Sequence, residues 1–361
     1  MAGGPTTNSA FELLRACIAG PRSEELGAKL AATIEAGEDV WQAATDYDLV
    51  SLCYVRLAEA DLVGALPPDQ AARLRAAHLA HADFQSELVA AGAEIAERLK
   101  GAGVESVLPI KGLALVARYW PDYLPRHMED LDIIIPPKDV DRAISILEGA
   151  GFLVDPEHRP SAPWDLHSPR QTRGRVSVEI HWTLPLPSGT QPFPVSDLAT
   201  LAARAATQQL LGGALLVPSR EDCLIIQAAY LARDGFLLGM GVWADIFSMV
   251  TDTHFEPDWE RLWQIADEQG IGPLIRIELR FACELFGLPW EPGSSFARST
   301  ERAYDRLRPI LHRRLVVSGG LERSSLLRML PGNLARLHHA DARRLTSSRG
   351  RFASASCPTS S

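Results

Sequence analysis

Acidic side chains spaced as in a metal site occur in a short apolar stretch of the chain. Asp130 and Asp132 alternate with Leu131 and Ile133, a pattern typical of a β-strand whose two faces differ. On such a strand both carboxylates point to the same face, roughly 6.5 Å apart along the backbone. Neighbouring carboxylates repel each other, and proteins tolerate them where a cation or solvent offsets the repulsion. The pair therefore predicts a site for a divalent metal ion.

A third carboxylate occurs in a similar context further along the chain. Residues 176–182 alternate so that Glu179 and His181 share one face of a predicted strand, with apolar residues on the other. If this strand lies beside the first, the three carboxylates form one cluster. Mg²⁺ prefers oxygen ligands and is usually held by one or two carboxylates together with substrate phosphates. Two such ions can stabilise the attacking and leaving oxygens of a phosphoryl displacement, so the chemistry indicated is nucleotidyl transfer from an NTP.

A lysine and a glycine stand where a phosphate group could bind. Residues 104–110 predict a buried strand, Gly112 permits a tight turn, and residues 113–119 predict a helix. Backbone N–H groups at the start of that helix, with the Lys111 ammonium, would face the triphosphate of a nucleotide. Lysine is rare here, four residues against thirty-two arginines, so its presence beside Gly112 is informative. The alternative is a lysine at a surface turn.

Two more polar side chains are candidates for the same site. Arg126 shortly precedes the acidic pair and is expected either to reach a phosphate or to brace Asp130. His181 shares the face of Glu179, and we expect it to hydrogen-bond to the metal ligands rather than to act as a general base. Acidic residues at strand ends also occur by chance, but the whole ordered set favours the metal site.

The order of these motifs resembles the DNA polymerase β-type nucleotidyltransferase superfamily. The segment LPIKGLALVARYWPDYLPRHMEDLDIII, followed by VSVEIHW, is similar to a family of uncharacterised bacterial nucleotidyltransferases. The resemblance covers about residues 100–185 well and the region to about residue 290 more loosely. This chain departs from it in two places. The usual Gly-Gly or Gly-Ser turn is Lys111-Gly112 here, and Tyr230 stands where a His is frequent.

The resemblance implies an α+β fold, with a small mixed β-sheet core flanked by N-terminal and C-terminal helical regions. It also implies Mg²⁺-dependent transfer of NMP from an NTP to a hydroxyl of a small molecule, peptide or protein, with release of pyrophosphate. Asp130 and Asp132 would hold two metal ions, and Glu179 would complete the acceptor-side ion site. The base of the NTP stays open among ATP, CTP, GTP and UTP. Two alternatives stay open: a nucleotide-binding module without catalysis, and a partner protein of the toxin–antitoxin type.

Length and composition predict a soluble globular protein with more than one domain. The chain has 361 residues, of which 46% are hydrophobic and 22% charged. The predicted segments are a disordered lead (1–9), an N-terminal helical domain (10–103), a nucleotidyltransferase core (104–217), a C-terminal helical domain (218–345) and a disordered tail (346–361).

Charge and cysteine content bear on partners and location. The net charge is −9, yet from Arg298 onward thirteen arginines face four acidic residues, which indicates either a surface for an acidic or phosphate-bearing partner or a solvated helix face. Five cysteines without a C-x-x-C pair predict reduced thiols and no zinc site. No signal peptide and no apolar run of about 18 residues is visible. We expect a cytoplasmic protein that binds neither membrane nor nucleic acid.

Overall fold

Helices make up most of the protein and surround one small sheet. The computed structural model describes residues 8–20, 22–120, 122, 124–154, 170–182, 184–185, 192–193, 198–210, 213–233, 239–252, 257–289 and 298–317. The N-terminal region consists of α1 (Ser9–Ala19), α2 (Ser23–Glu35), α3 (Val40–Asp46), α4 (Val50–Glu59) and α5 (Pro68–Gly101). The central region consists of β1 (Leu108–Ile110), α6 (Lys111–Tyr119), β2 (Leu131–Ile134), α7 (Val140–Gly149), β3 (Leu153–Val154), β4 (Gln171–Arg173), β5 (Val176–His181), β6 (Leu184–Pro185), β7 (Pro192–Phe193), α8 (Leu198–Arg204), β8 (Ala206–Leu210) and β9 (Gly213–Val217). The C-terminal region consists of α9 (Arg220–Arg233), α10 (Met240–Thr251), α11 (Trp259–Glu268), α12 (Gly272–Phe286) and α13 (Arg298–Val317).

The main sheet has five strands in the order β1-β2-β5-β4-β3. Strands β2 and β5 are parallel, and every other pair in this sheet is antiparallel. Two small hairpins, β6-β7 and β8-β9, form separate two-stranded sheets. The predicted α+β class, with a small mixed sheet between two helical regions, is therefore confirmed.

Local sequence signals account for several helix ends. Asn8 caps α1 by accepting a hydrogen bond from the Phe11 N–H at 3.1 Å. Ser219 caps α9 in the same way, with its hydroxyl accepting from the Asp222 N–H at 3.1 Å, as the Ser-x-x-Asp motif predicts. Helix α5 begins with a proline at its first position and is 34 residues long.

The structure corrects some predicted boundaries. The strand expected over residues 104–110 is limited to Leu108–Ile110, because only these residues pair with β2. Four prolines in residues 155–173 predict a long irregular loop. The predicted loop ends earlier, since Gln171–Arg173 pairs with both β3 and β5 and forms β4. Most of that loop, residues 155–169, lies outside the described residues. The same holds for the predicted tail and for residues 1–7 of the predicted lead.

One continuous apolar core joins the three regions. It extends from Phe11 in α1 to Leu315 in α13 and includes the inner residues of the sheet. Helix α5 packs against β5, β9 and α7, and α9 packs against α6. The division into domains stays a prediction, but the helical regions and the sheet share this core. None of the described helices is long and apolar enough to cross a membrane.

A buried carboxylate in the C-terminal region opposes this packing. Glu278 on α12 is 0% exposed, and among the described residues neither carboxylate oxygen has a hydrogen-bond partner. Burial holds the pKa of Glu278 well above its usual value, so the folded protein keeps the acid protonated. Because the pKa of this carboxyl is higher in the folded than in the unfolded protein, its contribution to stability is fully present below the unfolded-state pKa. That contribution is lost as the pH rises toward the folded-state pKa.

We therefore expect Glu278→Gln to flatten the pH dependence of stability. The free energy of unfolding of Glu278→Gln should increase relative to that of the wild type from pH 5 upward, by up to about 1.4 kcal/mol per pH unit. The reason is that the wild-type carboxyl keeps its proton in the folded state and loses it on unfolding. Urea unfolding at pH 5, 6, 7 and 8 measures this. The control is Glu105→Gln at an exposed position. Parallel curves for wild type and Glu278→Gln would contradict the expectation.

Candidate active site

The two acidic strands lie side by side in the sheet. In the parallel pair β2 and β5, Asp132 is the direct register partner of Glu179. Both side chains are buried, with residue exposures of 4% and 8%. Asp130 lies one residue before β2 and is partly exposed. Strand alternation directs it to the same face as Asp132, so the structure brings the three predicted carboxylates together.

Asp132 has two close polar partners. Its Oδ1 accepts a hydrogen bond from Lys111 Nζ at 2.8 Å and lies 2.7 Å from His181 Nε2. Burial works against ionisation, but the lysine and the histidine outweigh it and hold the pKa of Asp132 below its usual range. Burial also lowers the pKa of His181, so the imidazole is neutral and donates its Nε2–H to the carboxylate. His181 thus orients Asp132, as the sequence analysis expected of a hydrogen-bonding partner.

Asp130 occupies a different electrostatic environment. Burial, and then the neighbouring charge of Asp132, raise the pKa of Asp130 to about 7. The charges of Lys111 and Arg170 act in the opposite direction, and the Arg170 guanidinium lies 3.7 Å from Asp130 Oδ2. The same guanidinium donates to Glu179 Oε1 from two nitrogens, at 3.1 and 3.3 Å. Arg170 therefore bridges two of the three carboxylates.

Lys111 stands in a strained backbone conformation at the start of α6. Its φ angle is +50°, in the left-handed region that costs a residue with a Cβ about 1–2 kcal/mol. Its ammonium lies 4.6 Å from the centre of the Tyr230 ring, in a cation–π contact, while it also pairs with Asp132. A glycine would relieve this strain but would lack the ammonium group that contacts Asp132.

Gly112 is required by close neighbours. A Cβ at this position would lie 3.0 Å from both Cγ and Sδ of Met128 and 3.3 Å from a guanidinium nitrogen of Arg126. These separations are tighter than ordinary van der Waals contact. The glycine thus lets the start of α6 approach the segment that leads into β2.

Arg126 pairs with an acidic residue that the sequence analysis did not select. Its Nε and one terminal nitrogen each donate to the Asp245 carboxylate at 2.8 Å. Asp245, on α10, also accepts hydrogen bonds from Trp120 at 3.2 Å and Gln227 at 3.1 Å. The carboxylate braced by Arg126 is therefore Asp245, whereas the arginine beside Asp130 is Arg170. Contact of Arg126 with a phosphate stays a prediction.

Helix α5 holds the segment that carries Arg126 and Asp130. Gln85 donates to the carbonyl of Met128 at 2.9 Å, and His81 Nε2 donates to the carbonyl of Arg126 at 3.1 Å. Burial lowers the pKa of His81 to about 4, so it remains a neutral donor. The N-terminal helices thus fix the backbone that leads into β2.

The side chains that β2 and β5 present to the same face of the sheet fit a divalent cation. Asp132, Glu179 and His181 each offer a ligand atom, and these atoms lie within 4.8 Å of one another. Carboxylate oxygens are the ligands that Mg²⁺ prefers. Because His181 Nε2 already donates to Asp132, the two carboxylates are the better candidates for metal contact, with Asp130 beside them.

Two residues of this region were missed from the sequence. Arg170 lies at the end of a segment interpreted as a loop, and no motif singles it out. Asp245 interrupts an otherwise apolar helix whose periodic residues include Trp243 and Ile246. A lone acidic residue in such a helix was the available signal, because buried carboxylates need a partner.

Comparison with known proteins gives one family. The family model described as "Uncharacterised nucleotidyltransferase" matches residues 36–287, well over half of the chain. The match includes α5, which supports the site, and α10, which carries Asp245. It therefore extends further toward the N-terminus than the motifs around residues 100–185. No curated protein matches the sequence.

Proposed function

Because the chain belongs to the uncharacterised nucleotidyltransferase family, we propose that it transfers an NMP group from an NTP to a hydroxyl acceptor in an Mg²⁺-dependent reaction. The observation that carries the proposal is the adjacency of Asp132 and Glu179 on β2 and β5, with Asp130 and Lys111 close by. The acceptor is a small molecule, a peptide or a protein.

The residues of the site have separate roles in the proposed reaction. Asp130 and Asp132 would hold two divalent cations, and Glu179 would complete the site of the acceptor-side ion. When bound, such ions neutralise the charge that develops on the phosphates during displacement. Lys111, at the start of α6, and the backbone N–H groups of its first turn bind the triphosphate. His181 keeps the Asp132 carboxylate oriented.

In the proposed reaction the acceptor oxygen forms a bond to the α-phosphorus of the NTP. The bond from that phosphorus to the oxygen bridging the α- and β-phosphates breaks, and pyrophosphate leaves with its electron pair. The proton of the acceptor hydroxyl passes to the carboxylate of Glu179. Positioning and neutralisation of charge, rather than covalent chemistry by the protein, supply the acceleration.

Calorimetric titration of ATP, CTP, GTP and UTP with Mg²⁺ tests this proposal. We expect one NTP to bind the wild type and to lose its metal-dependent binding in the double variant Asp130→Asn/Asp132→Asn, because the carboxylates that hold the cation are neutralised. Failure of every NTP to bind would contradict the assignment. Binding without pyrophosphate release, with small molecules, peptides and proteins as acceptors, would favour the nucleotide-binding module instead.

A further inference from the structure

Basic side chains of the protein lie beside the three carboxylates of the site. Lys111 Nζ lies 2.8 Å from Asp132, and the Arg170 guanidinium lies 3.1 Å from Glu179 and 3.7 Å from Asp130. Each of the three carboxylates of the site is therefore paired with a basic side chain. The basic groups lie beside Oδ1 of Asp132, Oε1 of Glu179 and Oδ2 of Asp130, which are oxygens that a divalent cation could also bind.

We propose that Arg170 guards the metal site, so that divalent cations enter it together with a triphosphate and bind weakly on their own. The proposal rests on the proposed function, whose site and cofactor it uses. It adds that the divalent cation and the triphosphate bind together, and it attributes this coupling to Arg170.

The physical basis is competition for the same carboxylates. A guanidinium near a carboxylate stabilises the ionised acid and repels a second cation brought to it. The side chain of Arg170 is 33% exposed and that of Glu179 only 10% exposed, so solvent screens this pair less than a surface pair. A divalent cation alone must displace Arg170 or bind against its charge.

A triphosphate removes that obstacle. Its oxygens offer the guanidinium of Arg170 an alternative partner with good bidentate geometry. They also offer one to the Lys111 ammonium, which stands at the start of α6. The basic groups then pair with phosphate while the carboxylates turn to the cation, so metal and triphosphate reinforce each other's binding.

Neighbouring arginines do not share this placement. Arg173 donates to Glu94 at 2.7 Å, and Arg175 donates to Asp83 at 2.7 Å and Glu87 at 2.6 Å, all on α5. Arg175, which directly precedes β5, therefore supplies a matched control. It has the same charge and its carboxylate partners lie outside the cluster.

Binding of MnCl₂ alone, followed by the paramagnetic resonance signal of free Mn²⁺, tests the guard. We expect Arg170→Gln to bind Mn²⁺ at least about tenfold more tightly than wild type, because the competing charge is gone. Arg175→Gln should bind Mn²⁺ as the wild type does. The gain should disappear when Asp132→Asn is combined with Arg170→Gln, which locates the ion at the cluster.

A second titration uses inorganic tripolyphosphate with Mn²⁺, followed by calorimetry, as a probe that needs no knowledge of the base. We expect tripolyphosphate to increase the Mn²⁺ affinity of the wild type. In Arg170→Gln the factor of this increase should be smaller by at least about tenfold. Equal Mn²⁺ affinities of wild type and Arg170→Gln, with both binding, would overturn the guard and leave the metal site intact. Absence of Mn²⁺ binding in every protein, with and without tripolyphosphate, would overturn the proposed function and the guard with it.

Discussion

Replacing Asp132 with Asn is expected to lower the rate of nucleotidyl transfer by at least about 10³-fold, or about 4 kcal/mol in the barrier. Asp132 is central to the cluster, since it adjoins Glu179 in the sheet and pairs with Lys111 and His181. Asparagine keeps the shape of the side chain but removes the charge that would hold a cation. Pyrophosphate release, with the NTP identified by calorimetry and mixed acceptors, measures the effect.

The variant should remain folded. Loss of the ion pair with Lys111 is offset by relief of repulsion among the carboxylates, so the free energy of unfolding should change by no more than about 2 kcal/mol. Asp141→Asn, at an exposed position on α7, is the matched control and should keep wild-type activity. Wild-type turnover in a folded Asp132→Asn protein would show that the cluster is not the reaction centre.

Replacing Arg126 with Ala is expected to lower the free energy of unfolding by about 3–5 kcal/mol. The side chains of Arg126 and Asp245 are only 10% and 3% exposed, and the change leaves a buried carboxylate without its counter-charge. Burial already raises the pKa of Asp245, and the guanidinium opposes that rise. Urea unfolding at pH 7 measures the loss.

The pair also joins regions far apart in the chain, because Arg126 precedes β2 while Asp245 lies on α10. The double variant Arg126→Met/Asp245→Leu should recover much of the stability, since it removes both buried charges. An exposed pair provides the comparison. Arg73→Ala, which breaks contacts with Asp69, should cost about 0–1 kcal/mol. Equal losses in Arg73→Ala and Arg126→Ala would contradict the importance of burial.

Local periodicity explains what could be predicted from the sequence. Alternation around Asp132 and Glu179 predicted strands that the structure contains as β2 and β5, because side chains of a strand alternate whatever lies beyond it. The Ser-x-x-Asp start of α9 was likewise visible, since its hydrogen bond joins Ser219 to a residue three positions later. These features depend on neighbours in the chain.

Pairing between distant residues explains what could not be predicted. The partner of Arg126 lies 119 residues away, and Arg170 meets Asp130 from forty positions further along the chain. A guanidinium can pair with any carboxylate that the fold brings near, so its spacing in the sequence does not select one.

The sequence by itself determined the types of side chain at the site, the strands that carry them and the α+β class. Only the tertiary structure decided that Asp132 and Glu179 adjoin, that Lys111 adopts a left-handed backbone angle, and that Arg170 stands among the carboxylates. The physical reason is the range of the interactions. Strand and helix patterns arise within a few residues, whereas charge pairing and burial are properties of the packed chain.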